Sequence, residues 1–286
     1  MELEITETQP MASPRVFILR APGTNCDLET AYAFERAGAK ADRVHVRRLL
    51  ESPAILRNYQ ILCIPGGFSY GDDIAAGRIL ALQLRQHLEA VLEEFHSEDK
   101  LLLGICNGFQ VLLKAGLLLP RDEEGVVPAT LTWNDSGRYE DRWVHLETRT
   151  WDRQRRGPCP FLEGIDRLEL PIAHAEGKFV PRDAETLSRL EAAGHLVLRY
   201  AAPPENNPCS RTPPADADGI LPFPYNPNGS AANVAGVCDA SGRALGLMPH
   251  PERFIDAVHH PRWTRETPPD PPCGLRIFRN ATAYFA

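Results

Sequence analysis

Short apolar runs alternate with amphipathic stretches in the first half of the chain, and this alternation constrains the fold more than any other feature. Runs such as RVFILR at 15–20 indicate buried strands, and stretches such as 75–95 have apolar residues at helical spacing. The predicted strands here are 15–20, 44–50, 60–64 and 100–105, and the predicted helices are 28–38, 75–95 and 108–115. This order predicts an α/β fold with an open, mostly parallel sheet and helices on both faces.

The second half of the chain is less regular. Further strands are predicted at 144–148, 167–170 and 243–248. Between the last two of these strands, one long segment at 201–227 is rich in proline, asparagine and aspartate, which disfavours both helix and sheet. The predicted organisation is a disordered tail at 1–14, a single domain at 15–286, an exposed insertion loop at 201–227 and a C-terminal extension at 254–286.

Composition excludes several classes of protein. A net charge of -7 argues against a general nucleic-acid binder, and no apolar run approaches the ~20 residues that span a bilayer. The acidic, polar N-terminus lacks the basic start and apolar stretch of a secretory signal, so we predict a cytoplasmic protein. The 7 cysteines are scattered and form no CxxC pair, which predicts neither a disulfide framework nor a metal site.

Three loops rich in Gly or Asn follow predicted strands, at 23–27, 66–73 and 106–108. In open parallel sheets, sites form beyond the carboxyl ends of the strands. We therefore expect these three loops to converge on one site.

Cys106 lies between a predicted strand and a predicted helix, with Gly104 and Gly108 on either side. This arrangement is typical of a nucleophile elbow, in which a strained turn lifts the reactive side chain above the sheet. The start of the helix favours the thiolate, and the N–H of Asn107 would point to a developing oxyanion. The alternative is a buried structural cysteine beside a Gly-rich turn.

Two His-x-Glu pairs could supply a base, His250 with Glu252 and His174 with Glu176. In extended backbone, residues i and i+2 point to the same side, so the glutamate could orient the imidazole. The prolines at 249 and 251 favour extended backbone only for the first pair. These residues by themselves leave the choice between the two pairs open.

Six motifs occur in order along the chain: GTNCD, PGGFSYGDD, LGICNGFQVL, LPIAHAEGKF, NPNGS and GLMPHPER, spanning positions 23 to 253. Together they resemble the class I (triad) glutamine amidotransferases. Within that family they are most similar to the glutaminase subunits of phosphoribosylformylglycinamidine synthase, an enzyme of purine biosynthesis. The resemblance covers the chain from about residue 15 to residue 253.

The resemblance implies a role for each matching residue. Cys106 matches the nucleophile of the family, His250 matches its general base, and Glu252 matches the residue that orients the base. This implies that the later His-x-Glu pair is the catalytic one. His174 and Glu176 would lie near the mouth of the site or the partner face.

Further roles concern the substrate. Gly67 and the N–H of Asn107 match the oxyanion hole, and Gln110 matches the residue that holds the amino-acid end of glutamine. The implied reaction passes through a γ-glutamyl thioester and releases ammonia. The long 201–227 loop, and Ala175 where the family often has glycine, depart from the family pattern.

The resemblance also implies a partner, a synthetase subunit that uses the ammonia, with a small third subunit in some complexes. The chain has no GxxxxGK[ST] loop, so we expect no cofactor here and expect ATP and Mg²⁺ to bind the partner. Two other functions are considered: a stand-alone cysteine hydrolase of similar fold, and a degenerate domain kept as a scaffold. Scaffold domains usually lose a triad residue, whereas this chain retains all three.

Overall fold

The computed structural model describes residues 13–149, 159–204 and 215–286. The strands are β1 (Arg15–Arg20), β2 (Lys40–His45), β3 (Ile61–Ile64), β4 (Leu101–Ile105), β5 (Ala129–Thr132), β6 (Glu140–Thr148), β7 (Arg167–His174), β8 (Lys178–Pro181), β9 (Leu198–Ala201), β10 (Val234–Cys238) and β11 (Ala244–Leu247). The helices are α1 (Asp27–Arg36), α2 (Val46–Glu51), α3 (Arg78–Ser97), α4 (Asn107–Ala115), α5 (Ala184–Ala192) and α6 (Cys273–Ala283).

Within these residues a 9-stranded sheet has the order β2-β1-β3-β4-β11-β10-β9-β6-β7. Strands β2, β1, β3, β4 and β11 are parallel neighbours. From β11 to β7 every neighbouring pair is antiparallel. Only residues 239–243 join β10 to β11, which is far too short for the crossover that a parallel pair needs.

Helices cover both faces of this sheet. Helices α1 and α6 contact each other on one face, and α3 and α4 contact each other on the other. The predicted α/β fold is therefore confirmed, although the sheet is parallel over only half its width and is mixed overall. Strands β3, β4 and β11 are fully buried, which explains why their sequences are continuous apolar runs.

The predicted C-terminal extension ends in α6, which packs onto the domain. The ring of Phe278 meets that of Phe34 in α1 at 4.8 Å between centroids, and the Thr282 hydroxyl donates to the Ala37 carbonyl. Residues 1–12 of the predicted tail and residues 205–214 of the predicted loop lie outside the described residues. The division into one domain with a tail and a loop stays a prediction. No helix in the described ranges has both the length and the apolar character to cross a membrane.

The strand predicted at 44–50 is wrong. Strand β2 ends at His45, and helix α2 begins at the next residue. Val46 and Leu49 are three positions apart and both are buried, which is helical spacing. The His45 side chain caps this helix by accepting a hydrogen bond from the N–H of Arg47. In so short a segment, this local cap outweighed the β-propensity of the valines.

Candidate active site

The three loops predicted to converge do so beyond β1, β3 and β4. Thr24 and Gly67 form an isolated antiparallel bridge between the first two loops. The N–H of Ser69 donates to the Oδ1 of Asn107 at 3.2 Å, which joins the second loop to the third. The predicted convergence is confirmed, and one site occupies this edge of the sheet.

Cys106 occupies the turn between β4 and α4 with φ at 51°, a conformation that residues with a side chain rarely adopt. Its N–H donates to the carbonyl of Leu247 in the neighbouring strand β11 at 2.8 Å. A Cβ at Gly108 would lie 1.8 Å from the Ile64 carbonyl oxygen, and one at Gly104 would lie 2.7 Å from Gly108. The flanking glycines are therefore required by the close approach of α4 to β3 and β4, as the elbow predicts.

His250 reaches the same edge from β11, the parallel neighbour of β4. Its N–H donates to the Pro171 carbonyl, and its Nδ1 lies 2.6 Å from Oε1 of Glu252. Both side chains are buried. The pairing is made across a short 3₁₀ turn at Pro251–Arg253 and not along an extended strand. The extended backbone expected at His250 is not seen, since its φ is -105° and its ψ is 88°.

The electrostatics of this pair favour a charged imidazole. Burial on its own lowers the pKa of an imidazole, but the negative charges of Glu252 and Cys106 outweigh it and hold the pKa of His250 well above 6.5. Within the described residues Nε2 of His250 has no hydrogen-bond partner of ordinary geometry. The nitrogen opposite the glutamate is therefore the one available to exchange a proton.

The second His-x-Glu pair is not a pair in the structure. Nδ1 of His174 lies 3.1 Å from Oδ1 of Asn134, and the Glu176 carboxylate accepts the N–H of Ala76 at 3.2 Å. Burial, with a smaller effect of His250, lowers the pKa of His174 to about 3. His174 is buried, which does not fit an exposed position at the mouth of the site, and its place relative to the partner face stays a prediction. The carbonyl of the preceding residue, Ala173, lies 3.7 Å from the Cys106 sulfur.

Gly67 lies on the loop at 66–73, and Asn107 directly follows Cys106 in the turn into α4. The φ of Gly67 is +139°, and a Cβ there would lie 2.8 Å from the Asn25 nitrogen, so only glycine fits. Asn107 is the first residue of α4, where a backbone N–H has no acceptor inside the helix. Gln110 is buried one turn further on, and its amide donates to the Glu176 carbonyl at 2.5 Å.

Cys26 completes the surroundings of the imidazole. Its sulfur, a nitrogen of His250 and a carboxylate oxygen of Glu252 lie within 4.8 Å of one another, a donor set that zinc accepts. However, the Arg253 guanidinium lies 3.2 Å from that sulfur, and Nδ1 of His250 is already held by Glu252. Both contacts oppose a cation at this point. The absence of a resident metal stays a prediction.

Comparisons with known proteins identify the family. Residues 13–285 match the CobB/CobQ-like glutamine amidotransferase domain. The phosphoribosylformylglycinamidine synthase subunit PurQ of Dehalococcoides mccartyi is 43% identical over 276 residues, which cover 96% of this chain and 98% of that protein. This chain belongs to the PurQ family of glutamine amidotransferases.

Other PurQ-family proteins match over similar lengths. The phosphoribosylformylglycinamidine synthase subunit PurQ of Methanococcus maripaludis is 38% identical over 283 residues, covering 95% of this chain and 97% of that protein. The structure of PurLQS from Thermotoga maritima superposes with a TM-score of 0.67 at 27% identity, covering 96% of this chain and 100% of that chain. The family resemblance inferred from the six motifs is thus confirmed.

The PurQ-family site contains two polar residues that the sequence did not single out. Asn134 is buried, and its amide donates to the carbonyls of Arg138 and His174 while its oxygen accepts the N–H of Gly177. Asp72 accepts hydrogen bonds from the Asn107 side chain and from a backbone N–H, and burial raises its pKa. The sequence NDSG at 134–137 is typical of a turn, and nothing local in it indicates that the first side chain is buried.

The NPNGS motif of the PurQ family has a bracing role in this fold. Asn228 donates to the Gly177 carbonyl at 2.8 Å, and the Ser230 hydroxyl accepts the N–H of Phe179 at 3.0 Å. Both polar side chains are fully buried. The motif therefore holds the segment that presents Glu176 to Gln110.

Proposed function

We propose that this chain is the glutaminase subunit of a phosphoribosylformylglycinamidine synthase, with Cys106, His250 and Glu252 as its catalytic triad. One observation carries the assignment. The Cys106 sulfur sits on a strained turn beside an imidazole whose far nitrogen is held 2.6 Å from a buried carboxylate. That is the arrangement that a cysteine nucleophile needs: a neighbouring base that interacts with the sulfur and a third group that orients the base.

The reaction begins when the Cys106 thiolate adds to the side-chain amide carbon of glutamine. His250 carries a proton because Glu252 and Cys106 raise its pKa, and it gives that proton to the leaving nitrogen. Ammonia departs, and a γ-glutamyl thioester joins the substrate to the sulfur. The imidazole, now neutral, takes a proton from water, and the resulting hydroxide hydrolyses the thioester to glutamate.

The negative charge that develops on the carbonyl oxygen is stabilised by the N–H groups of Gly67 and Asn107. The conformation of Gly67 and the position of Asn107 at the first turn of α4 support this role. Gln110 lies one helical turn from the nucleophile, and its contact with the Glu176 carbonyl supports a part in binding the amino-acid end of glutamine.

The ammonia passes to a synthetase subunit, and a small third subunit belongs to the same complex. The PurLQS structure of Thermotoga maritima supports this partnership. ATP and Mg²⁺ bind the synthetase and not this chain, so the glutaminase reaction needs no cofactor. We assign the complex to the cytoplasm, where the other reactions of nucleotide synthesis would supply its substrates.

Replacing Cys106 with alanine tests the proposal. In the complex assembled with the synthetase, Cys106→Ala should abolish glutamine-dependent synthesis, because no thioester can form. Synthesis from added ammonia should continue at the wild-type rate, because that reaction occurs on the partner. Product formation with each nitrogen source measures both.

A control variant makes the result decisive. Cys63→Ala removes a buried cysteine of strand β3 that the proposal does not use, and it should retain both activities. Loss of ammonia-dependent synthesis in Cys106→Ala, or retention of glutamine-dependent synthesis, would contradict the proposed role.

A further inference from the structure

A groove of about 560 Å³ lies between α3 and β5, next to the loop at 66–73. Four cationic side chains line it: Arg78, Arg85, Lys114 and Arg121. Glu176 is the only carboxylate among the lining residues in the described part of the chain. A positive groove on a chain with a net charge of -7 is a local reversal of the overall charge.

None of these cations is held in a direct ion pair, although the carboxylates of Glu176 and Asp72 lie near Lys114 and that of Glu89 lies near Arg121. Lys114 donates to the carbonyls of Ala76 and Leu131, and Arg121 donates to the carbonyls of Gly125 and Lys114. Across residues 13–149, 159–204 and 215–286, none of the four forms an ion pair with a carboxylate. Arg78 is exposed and Arg85 is partly exposed, and within the described residues neither forms an ion pair, so these two arginines carry the positive charge available to a group from outside the chain.

Large apolar side chains rim the same groove. Ile74 is 66% exposed, Trp133 is 58% exposed and Leu82 is 43% exposed. Arginine and tryptophan beside exposed aliphatic side chains are typical of protein interfaces, where apolar contacts anchor a partner and charges set its register. A small anion would use the four cations but would leave this apolar rim uncovered.

We propose that this groove is a docking surface for an acidic segment, bearing apolar side chains, of the synthetase subunit. The inference rests on the proposed function, and it adds which face of the chain the partner contacts. The positive charge of Arg78 and Arg85 fixes the sign of the partner's charge, and the apolar rim favours a protein over a free anion.

A chain of hydrogen bonds connects the docking surface to the substrate site. Lys114 donates to the Ala76 carbonyl at 2.7 Å, and the N–H of Ala76 donates to the Glu176 carboxylate at 3.2 Å. The Glu176 carbonyl in turn accepts the amide of Gln110. A segment bound in the groove would therefore lie against the residues that support Gln110.

Charge reversal of two groove arginines tests the proposal. In Arg78→Glu/Arg85→Glu, association with the synthetase subunit should weaken by about tenfold or more, because like charges would meet at the interface. Added salt should weaken binding of the wild-type chain much more than binding of the variant. Binding is measured by calorimetry at two salt concentrations. Arg78→Gln/Arg85→Gln removes the charges without reversing them, so its affinity should lie between those of the wild-type chain and the Glu variant.

Arg279→Glu is the matched control, because this exposed arginine lies on α6, on the opposite helical layer. It should bind the synthetase as the wild-type chain does. Glutamine hydrolysis by the isolated double variant should equal that of the isolated wild-type chain, whatever that rate is, because neither arginine contacts the triad.

The outcomes separate this proposal from the proposed function. Wild-type affinity in the double variant at low salt would overturn the docking surface, even where the wild-type complex hydrolyses glutamine. Saturable binding of inorganic phosphate at the groove, with unchanged assembly of the double variant, would also overturn it and would indicate a small-anion site. A wild-type complex that makes no product from glutamine would instead contradict the proposed function.

Discussion

His250 and His174 each stand two positions before a glutamate, and both imidazoles are buried. The ring of His250 contacts the Glu252 carboxylate, whereas the ring of His174 contacts the amide oxygen of Asn134. The pKa of the first is raised well above 6.5, because nearby negative charges outweigh the burial that lowers it. The pKa of the second is lowered to about 3, chiefly by burial.

The difference shows that the pattern His-x-Glu does not by itself indicate that the imidazole and the carboxylate are in contact. After His250, Pro251 begins a 3₁₀ turn that brings the carboxylate back to the ring. After His174 the chain continues toward β8, and Glu176 turns to the N–H of Ala76. An imidazole beside a carboxylate can carry a proton at neutral pH, whereas one beside a neutral amide stays uncharged and serves the structure.

The largest expected effect comes from exchanging each imidazole for a neutral amide. His250→Gln should lower the rate of glutamine hydrolysis by about 10³-fold or more, because general acid–base catalysis is lost. His174→Gln should lower it by less than about tenfold, since glutamine can still donate to Asn134. Steady-state glutamate release by the assembled complex measures both. Equal losses of rate in the two variants would contradict the assignment of His250, and not His174, as the general base.

A smaller effect is expected from the carboxylates. Glu252→Gln should lower the rate by about 100-fold, less than loss of the base itself. It should also lower the pKa of His250, because the charge that favours the imidazolium is removed. Side-chain NMR of the histidines follows this pKa, and glutamate release follows the rate.

The raised pKa of His250 also makes the stability of the folded chain depend on pH. A raised pKa contributes stability that is complete below the unfolded value near 6.5 and is lost as the pH rises through the folded pKa. The stability difference between wild type and Glu252→Gln should therefore shrink as the pH rises from about 6. Glu176→Gln is the matched control: its carboxylate does not contact His250, so an equal fall in the pKa of His250 there would contradict the assignment.

The smallest effect concerns stability alone. The pKa of His174 in the folded chain is lowered to about 3. Below pH 6.5, therefore, His174 becomes protonated in the unfolded chain but stays neutral in the folded chain. Stability is therefore present above pH 6.5 and falls as the pH decreases. This residue should account for about 2 kcal/mol of lost stability between pH 7 and pH 5.

Urea unfolding of wild type and His174→Gln at both pH values measures that loss. The variant should lose about 2 kcal/mol less than wild type over this interval, since glutamine does not titrate. Equal losses in the two proteins would mean that His174 is charged in the folded state.

Much of the parallel half of the sheet could be predicted from the sequence. Strand β1 coincides with its predicted range, and β3 and β4 differ from theirs by a single residue, because buried parallel strands are continuous apolar runs. The antiparallel half could not be predicted as such. Its direction depends on connection lengths and on pairing between distant segments, which local periodicity does not contain.

The site divides in the same way. The elbow at Cys106 can be predicted from the sequence, because its close packing requires glycine on both sides and these glycines can be read directly from the sequence. The roles of Asn134 and Asp72 could not be predicted, although Asp72 stands in the motif PGGFSYGDD. A buried polar side chain is identified by its hydrogen-bond partners, and these are distant in sequence. Those partners, His174 and Asn107 among them, lie 40 and 35 positions away.

Strand β11 is the last strand of the chain, yet it lies in the middle of the sheet, between β4 and β10. During translation Cys106 therefore emerges well before the strand that accepts its N–H and leads to His250. Until β11 inserts, a fragment of the chain has an unpaired edge at β4. A fragment that ends before β11 also lacks His250 and Glu252, so it cannot form the proposed triad around Cys106.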